Sequence, residues 1–327
     1  MNTRAAWIFS GVVALAGACD EADERVGFDE GEVYELRAAV DNSSQLNGQF
    51  LNGQFLNGQF LNGQFLNSGV LSGDDGATDM IHATELVFDG AAAQAVWLEG
   101  SQLFVRDAGG VVVAGAAVNK LKLKYDLRDL GVAKKKVIKI SHAQPIKPGS
   151  DVWVHDIEVK EGNGVWKSLC VDGGGQPTQA ILLNDVWNPA TGDRAKHTAD
   201  SLTYACRGTA LAKCVEWGYK PWASVGGTSL YNYHQACSRM VRADYCGDGV
   251  AHTVNGTPIH VTDKKGVQAV DPNIDYVVEA EWSARGATCL NRANTRLPGQ
   301  DIECSLPACG TSFSSGGIIQ SGKIVAP

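Results

Sequence analysis

An α+β fold, mainly antiparallel β in the manner of a sandwich or barrel, with two short helices and a disulfide framework, is predicted by three observations. Short runs of alternating apolar and polar residues recur between turn residues from about residue 77 to residue 200. Strands at that spacing belong to antiparallel sandwiches or barrels rather than to alternating βαβ units. After residue 200, two stretches carry apolar residues at helical spacing, and eight cysteines lie between Cys170 and Cys309.

The chain opens on an address. Arg4 gives a positive start, Ala5 to Leu15 form an apolar run, and Ala16-Gly17-Ala18 precede Cys19. This pattern predicts a secretory signal over residues 1–18. The apolar run falls well short of the ~20 residues that a membrane-spanning helix needs. A cysteine directly after small residues is the lipobox arrangement of bacterial lipoproteins, so Cys19 is the expected lipidation site and the membrane an expected partner. Ala16 stands where Leu is commoner, and Leu15 lies one place earlier. Several acyl chains on one cysteine, at ~0.8 kcal/mol per buried methylene, hold a protein firmly where a single chain does not.

Residues 19–45 form an acidic tether. Asp20, Glu21, Asp23, Glu24, Asp29, Glu30, Glu32, Glu35 and Asp41 face only Arg25 and Arg37, and a linker so charged repels itself and extends. The net charge of −8 argues against nucleic acid as a partner. Residues 46–67 repeat LNGQF without interruption. Repeat architectures need about three stacked units to bury a core, and this tract supplies about one coil. It reads as a spacer, with a docked strip or a self-association device as the other readings.

A globular region is expected over 77–320, β-rich to about 200 and cysteine-rich from about 201. Ala83–Phe88 ends at Asp89-Gly90, a turn signal. Ala95–Glu99 and Gln102–Val105 flank Gly100-Ser101 as a hairpin does. Lys120–Tyr125 alternates strictly, which predicts a buried Leu face and a solvated Lys face. Lys136–Ile140, Val152–Ile157 and Tyr276–Trp282 continue the strands.

The first helix is expected from about Ala210 to Trp217, with Thr209 as N-cap and Gly218 at its end. The second starts near Thr228 or Ser229. It turns Leu230, Tyr233, Cys237, Met240 and Val241 inward, and Gly247 and Gly249 end it.

With Cys19 set aside, Cys170, Cys206, Cys214, Cys237, Cys246, Cys289, Cys304 and Cys309 form an even set, which reads as four disulfides of an exported protein. A zinc site would need a CxxC pair, which the chain lacks. Residues nine apart on one helix stand ~13 Å apart along its axis, beyond the ~7 Å reach of a bridge. That disfavours Cys237–Cys246, whereas Cys304 and Cys309 are near enough to close locally. The remaining connectivity stays open.

No reactive constellation stands out. Asp244, Asp248 and His252 have suggestive spacing, but Gly247 and Gly249 break the helix that would align them, leaving a loop with turn-forming aspartates. Cys246, with His234 and His252 nearby, reads as bridged rather than nucleophilic. GxSxG, SxxK and P-loop patterns are absent from the sequence. Trp97, Trp153, Trp166, Trp187, Trp217, Trp222 and Trp282 read mainly as core, with a glycan or peptide surface as the other use.

Three segments carry a resemblance. They are Tyr204–Gly208, Ala212–Trp222 and Cys237–Gly249, the last containing Ala243-Asp244-Tyr245-Cys246. They resemble the ADYC-domain family, named for that tetrapeptide and found largely in exported proteins of myxobacteria. Glu281–Ser283 and Gly286–Cys289 are similar to its later part. The family has no assigned biochemical function, so the resemblance implies export and supplies no catalytic residue, metal or cofactor. The expectation is an exported cell-envelope lipoprotein, a structural or binding module for an envelope protein or glycan. A secreted hydrolase or other enzyme with an unfamiliar site, and a surface protein assembling through LNGQF, are the alternatives.

Overall fold

The computed structural model describes residues 70–72, 80–129, 132–160, 164–172, 176–188, 191–195, 203–254, 256–310, 312–314 and 316–325. The signal segment, Cys19, the tether and the LNGQF repeat lie outside the described residues.

The first half is built from meandering strands. β1 (Val70–Ser72) pairs with β2 (Met80–Phe88). Asp89 and Gly90, at φ 50° and 87°, then turn the chain into β3 (Ala91–Ala92). Two consecutive positive φ values make this the mirror-image turn that matches strand twist, which is why glycine occupies its second place. β4 (Ala95–Glu99) and β5 (Gln102–Arg106) close over Gly100-Ser101, and β6 (Val112–Ala114) completes a three-stranded sheet. A 3-10 turn over Gly115–Lys120 leads to β7 (Leu121–Asp129), β8 (Val132–Pro145) and β9 (Trp153–Lys160). β10 (Trp166–Ser168), β11 (Ala180–Leu183), the short pair β12 (Val186–Trp187) and β13 (Arg194–Ala195), and β14 (Thr203–Cys206) follow.

The large sheet runs β1-β2-β7-β8-β9-β11-β14, antiparallel throughout and open at both ends, so it does not close into a barrel. Leu121 and Leu123 are buried while Lys122 is exposed, as the alternation requires. Leu98, Leu103 and Val105 of the small sheet share one core with Leu121, Leu123, Ile138, Ile140 and Val154. Each such side chain contributes ~1.5–3 kcal/mol on burial. The Trp153 amide donates to Ser101 Oγ at 2.7 Å, pinning the small hairpin to the large sheet.

The second half packs two helices on a smaller sheet. α1 spans Ala210–Glu216, the two-residue strands β15 (Ser224–Val225) and β16 (Thr228–Ser229) pair, and α2 spans Tyr231–Arg242. β17 (Ile259–Asp263), β18 (Tyr276–Ser283), β19 (Gly286–Leu290) and β20 (Ile319–Ile324) form an antiparallel sheet in the order β17-β20-β18-β19. Met240, Val241 and Ala236 of α2 share a second core with Ile259, Ala280, Trp282 and Ile319.

One helix-end expectation holds in position and two need correction. Thr209 stands at the N-cap of α1, but its hydroxyl donates back to the Cys206 carbonyl at 2.7 Å. Thr228 and Ser229 belong to β16, so α2 starts after Leu230, and Ser229 Oγ accepts from the Tyr231 amide at 3.2 Å. The helix ends at Arg242, because Ala243 takes the left-handed conformation (φ 53°, ψ 40°) well before Gly247.

Cys170–Cys206, Cys214–Cys237, Cys246–Cys304 and Cys289–Cys309 are bonded, with Cα separations of 5.3, 5.8, 5.6 and 4.9 Å. Cys304 and Cys309 therefore do not close the local loop between them. Each reaches back, one to the segment after α2 and the other to β19, and so ties the β19–β20 connection down at two points. Cys214–Cys237 joins the two helices. Four bridges of this kind suit an oxidising compartment. Among the described residues, no helix is long and apolar enough to cross a membrane.

Candidate functional site

The tetrapeptide Ala243–Cys246 sits where α2 meets the small sheet. Arg239 and Arg242, three apart on the last turn of α2, are both fully buried. Guanidinium groups lose their hydration there, so they need a carboxylate within reach. Ala243 supplies it by reversing the chain. The Ala243 amide donates to Met240 O at 3.0 Å and the Asp244 amide to Arg239 O at 2.9 Å. This back-turn brings the Asp244 carboxylate against the Arg239 guanidinium and within 3.5 Å of that of Arg242. The Gly249 amide donates to both Asp244 oxygens at 3.2 and 3.1 Å, and Arg242 donates to the Gly249 carbonyl. Burial pushes the Asp244 carboxyl above its ordinary value, against the pull of the two arginines and Gly249. Burial also brings Arg242 down to about 10.

Tyr245 enters a second buried cluster. Its hydroxyl donates to Glu279 Oε1 at 2.7 Å. Glu279 also accepts from Arg296 Nη2 at 2.6 Å, from the Arg296 amide at 2.9 Å and from Ser321 Oγ at 2.7 Å. The Trp282 indole donates to Ser321 Oγ at 2.9 Å, and its ring stacks on Tyr245 at 5.3 Å. Arg296 Nη1 reaches the Met240 carbonyl at 3.0 Å, so this cluster locks onto the same helix end. Burial alone would raise Glu279, but Arg296, Tyr245 and Ser321 hold it below the ordinary carboxylate value. Burial, together with the Glu279 charge, drives the Tyr245 phenol upward.

Cys246 completes the segment through its bridge to Cys304. Gly247 (φ +70°) lies so close to the β18–β19 turn that an added Cβ would stand 1.8 Å from the Arg285 carbonyl oxygen. The Ala287 amide donates to Tyr245 O at 2.9 Å beside it. Each residue of the tetrapeptide thus has a separate structural task. Ala243 reverses the chain, Asp244 pairs with two arginines, Tyr245 enters the sheet cluster and Cys246 staples the next loop.

A third contact set covers the polar side of α2. The Trp187 indole donates to Gln235 Oε1 at 2.7 Å, and Gln235 Nε2 donates to the Gly192 carbonyl at 2.9 Å. Arg239 pairs with Asp193, which is 64 % exposed and carries the far end of the network to the surface. His234, edge-on to Trp187, has Nε2 3.1 Å from the Leu211 carbonyl, and burial lowers it to about 3.

The spaced trio Asp244, Asp248 and His252 is not brought together. Asp244 faces the arginines, and exposed Asp248 accepts from the Val250 amide at 2.9 Å. His252 lies 3.1 Å from the Ala243 and Asp301 carbonyls. Among the described residues, no three His, Cys, Asp or Glu side chains are grouped to hold a metal ion. Of the tryptophans, Trp187 and Trp282 are buried, and Trp153, Trp217 and Trp222 pack half-buried against the cores. Trp97 and Trp166 lie nearer the surface, with Arg106 and Lys139 at 5.6 and 4.5 Å from their ring centroids.

Arg239, Arg242, Glu279 and Arg296 were not singled out by sequence reasoning. The available signal was a pair of arginines at i and i+3 followed two residues later by an aspartate, all inside an otherwise packed helix end.

The family model of the ADYC domain matches residues 110–296. The match begins just before β6 and ends on Arg296, the partner of Glu279. No curated protein and no solved structure matches the chain.

Proposed function

The chain belongs to the ADYC-domain family, and from that premise we propose that it is an exported cell-envelope lipoprotein acting as a structural or binding module. The observation that carries this reading is the pairing of all eight cysteines of the second half into four bridges. Cross-linking on that scale belongs to an oxidising space, which is where the N-terminal signal and Cys19 would deliver the chain. The interior supports a scaffold role. Asp244 and Glu279 spend their acceptor capacity on Arg239, Arg242, Arg296, Tyr245 and Ser321, so their charge holds elements together. A disulfide-stapled body on an acyl anchor suits the presentation of a surface outside the cell.

The test is metabolic labelling with a palmitate analogue in the native host. The wild-type chain incorporates label and its Cys19→Ala variant does not. Equal labelling of the two removes the anchor. Titration of the denatured, unreduced protein with a thiol reagent gives no reactive thiols besides Cys19 where that residue is free. Two or more additional thiols overturn the module reading and reopen catalysis by cysteine.

A further inference from the structure

The β7–β8 hairpin concentrates positive charge in a chain of net charge −8. Residues 120–139 contain eight basic side chains against Asp126 and Asp129. Antiparallel register sets Lys122 directly opposite Lys139, a like-charge placement that costs stability unless an anion intervenes. Two strands along, Lys160 stands opposite Trp166. The Lys139 and Lys160 ammonium groups lie 4.5 and 6.0 Å from the Trp166 ring centroid, so these residues share one outward face.

Glu158, Glu85 and Asp89 answer Lys139, Lys124 and Lys120. They do not answer the whole set, which also includes the exposed Lys122 and Lys160. Beside the lysine face, Val165 is 52 % exposed next to half-exposed Trp166.

We infer that this face docks on the surface of an anionic phospholipid bilayer. Lysine ammonium groups suit headgroup phosphates as point charges. Tryptophan with an adjacent exposed aliphatic side chain suits the interfacial layer. A soluble polyanion would use the lysines but gain nothing from Val165 and Trp166. The net negative charge of the chain does not oppose docking, because fields beyond about 10 Å are screened at 0.1 M salt. This surface acts independently of the acyl anchor.

The experiment uses the full chain carrying Cys19→Ala, so that acylation cannot contribute. Partition is measured onto phosphatidylcholine vesicles with and without 30 mole per cent phosphatidylglycerol (about one anionic lipid in three), at low and high salt. Binding at least tenfold tighter to the anionic vesicles, and lost at high salt, is the expected result. Lys122→Gln with Lys160→Gln should weaken it about thirtyfold, at roughly tenfold per 1.4 kcal/mol and about 1 kcal/mol per lysine. Trp166→Ala should weaken it severalfold with its salt dependence unchanged. Circular dichroism confirms that each variant is folded. Equal binding to both vesicle types overturns the inference. So does binding to dextran sulfate as tight as to vesicles and indifferent to Trp166→Ala. Either failure leaves palmitate labelling at Cys19 as a separate question.

Discussion

The large sheet and the α2 region solve the same problem by different means. Around Ile138, Ile140, Val154 and Leu123 the interior is almost wholly apolar, and one bridge, Cys170–Cys206, reaches into it. Around α2 the interior holds Arg239, Arg242, Asp244, Glu279 and Arg296, and three bridges surround it. Apolar burial is nondirectional and tolerates small errors of placement. Buried charge is directional, and it stabilises only while every partner is present. The second region therefore specifies one arrangement sharply but needs cross-links to hold it.

The sharpest test of that contrast is Asp244→Ala. It leaves the buried Arg242 guanidinium without its paired carboxylate and Arg239 with Asp193 alone, and should cost about 3–5 kcal/mol, read as a lower urea midpoint. Ile138→Val in the sheet should cost about 0.5–1.5 kcal/mol. Equal losses would erase the distinction between the regions.

Acidification comes next. His155, in β9, is lowered to about 4 chiefly by burial, and His234 to about 3 for the same reason. A histidine whose folded pKa lies below its unfolded value of about 6.5 leaves the unfolded chain holding more protons in that window. Stability is thus full above about pH 6.5 and falls as pH drops toward 4. His155 alone should account for about 3 kcal/mol of that loss. Glu279, held low in the fold, acts in the same direction at lower pH. Urea unfolding from pH 7 to 4 should show the decline, and His155→Phe should flatten part of it. A stability flat over that range contradicts neutral burial of both rings.

Removing one bridge should have an effect of similar or smaller size. Cys289→Ala with Cys309→Ala opens a connection of 20 residues and should cost about 3 kcal/mol in the chain-entropy account. The loss should fall on the second region, read by faster hydrogen exchange in β19 and unchanged exchange in β8. The smallest effect belongs to the exposed pair Lys124–Glu85, where Lys124→Ala should change stability by less than about 1 kcal/mol.

Much of the fold was visible residue by residue. Leu121 and Leu123 against Lys122, the Asp89-Gly90 turn and the inward set Leu230, Tyr233, Cys237, Met240 and Val241 all follow from periods of two and 3.6. The motif segment was visible as a pattern, but its tasks were not. Glu279 and Arg296 lie 34 and 51 residues beyond Tyr245, and no local period links them. Helix α2 reads as amphipathic, yet Gln235, Ser238, Arg239 and Arg242 are buried as well, because the β12–β13 hairpin and the Asp244–Gly249 loop cover its polar side.

What the amino-acid order settled alone was the kind of local structure, the parity of the cysteines and the alternation of sheet faces, since each depends on neighbours within a few residues. Tertiary structure alone decided which cysteines pair, where β20 inserts between β17 and β18, and which carboxylate meets which guanidinium. Those choices depend on distances between residues far apart in the chain. They exist only once the backbone has folded and water has left the space between the charges.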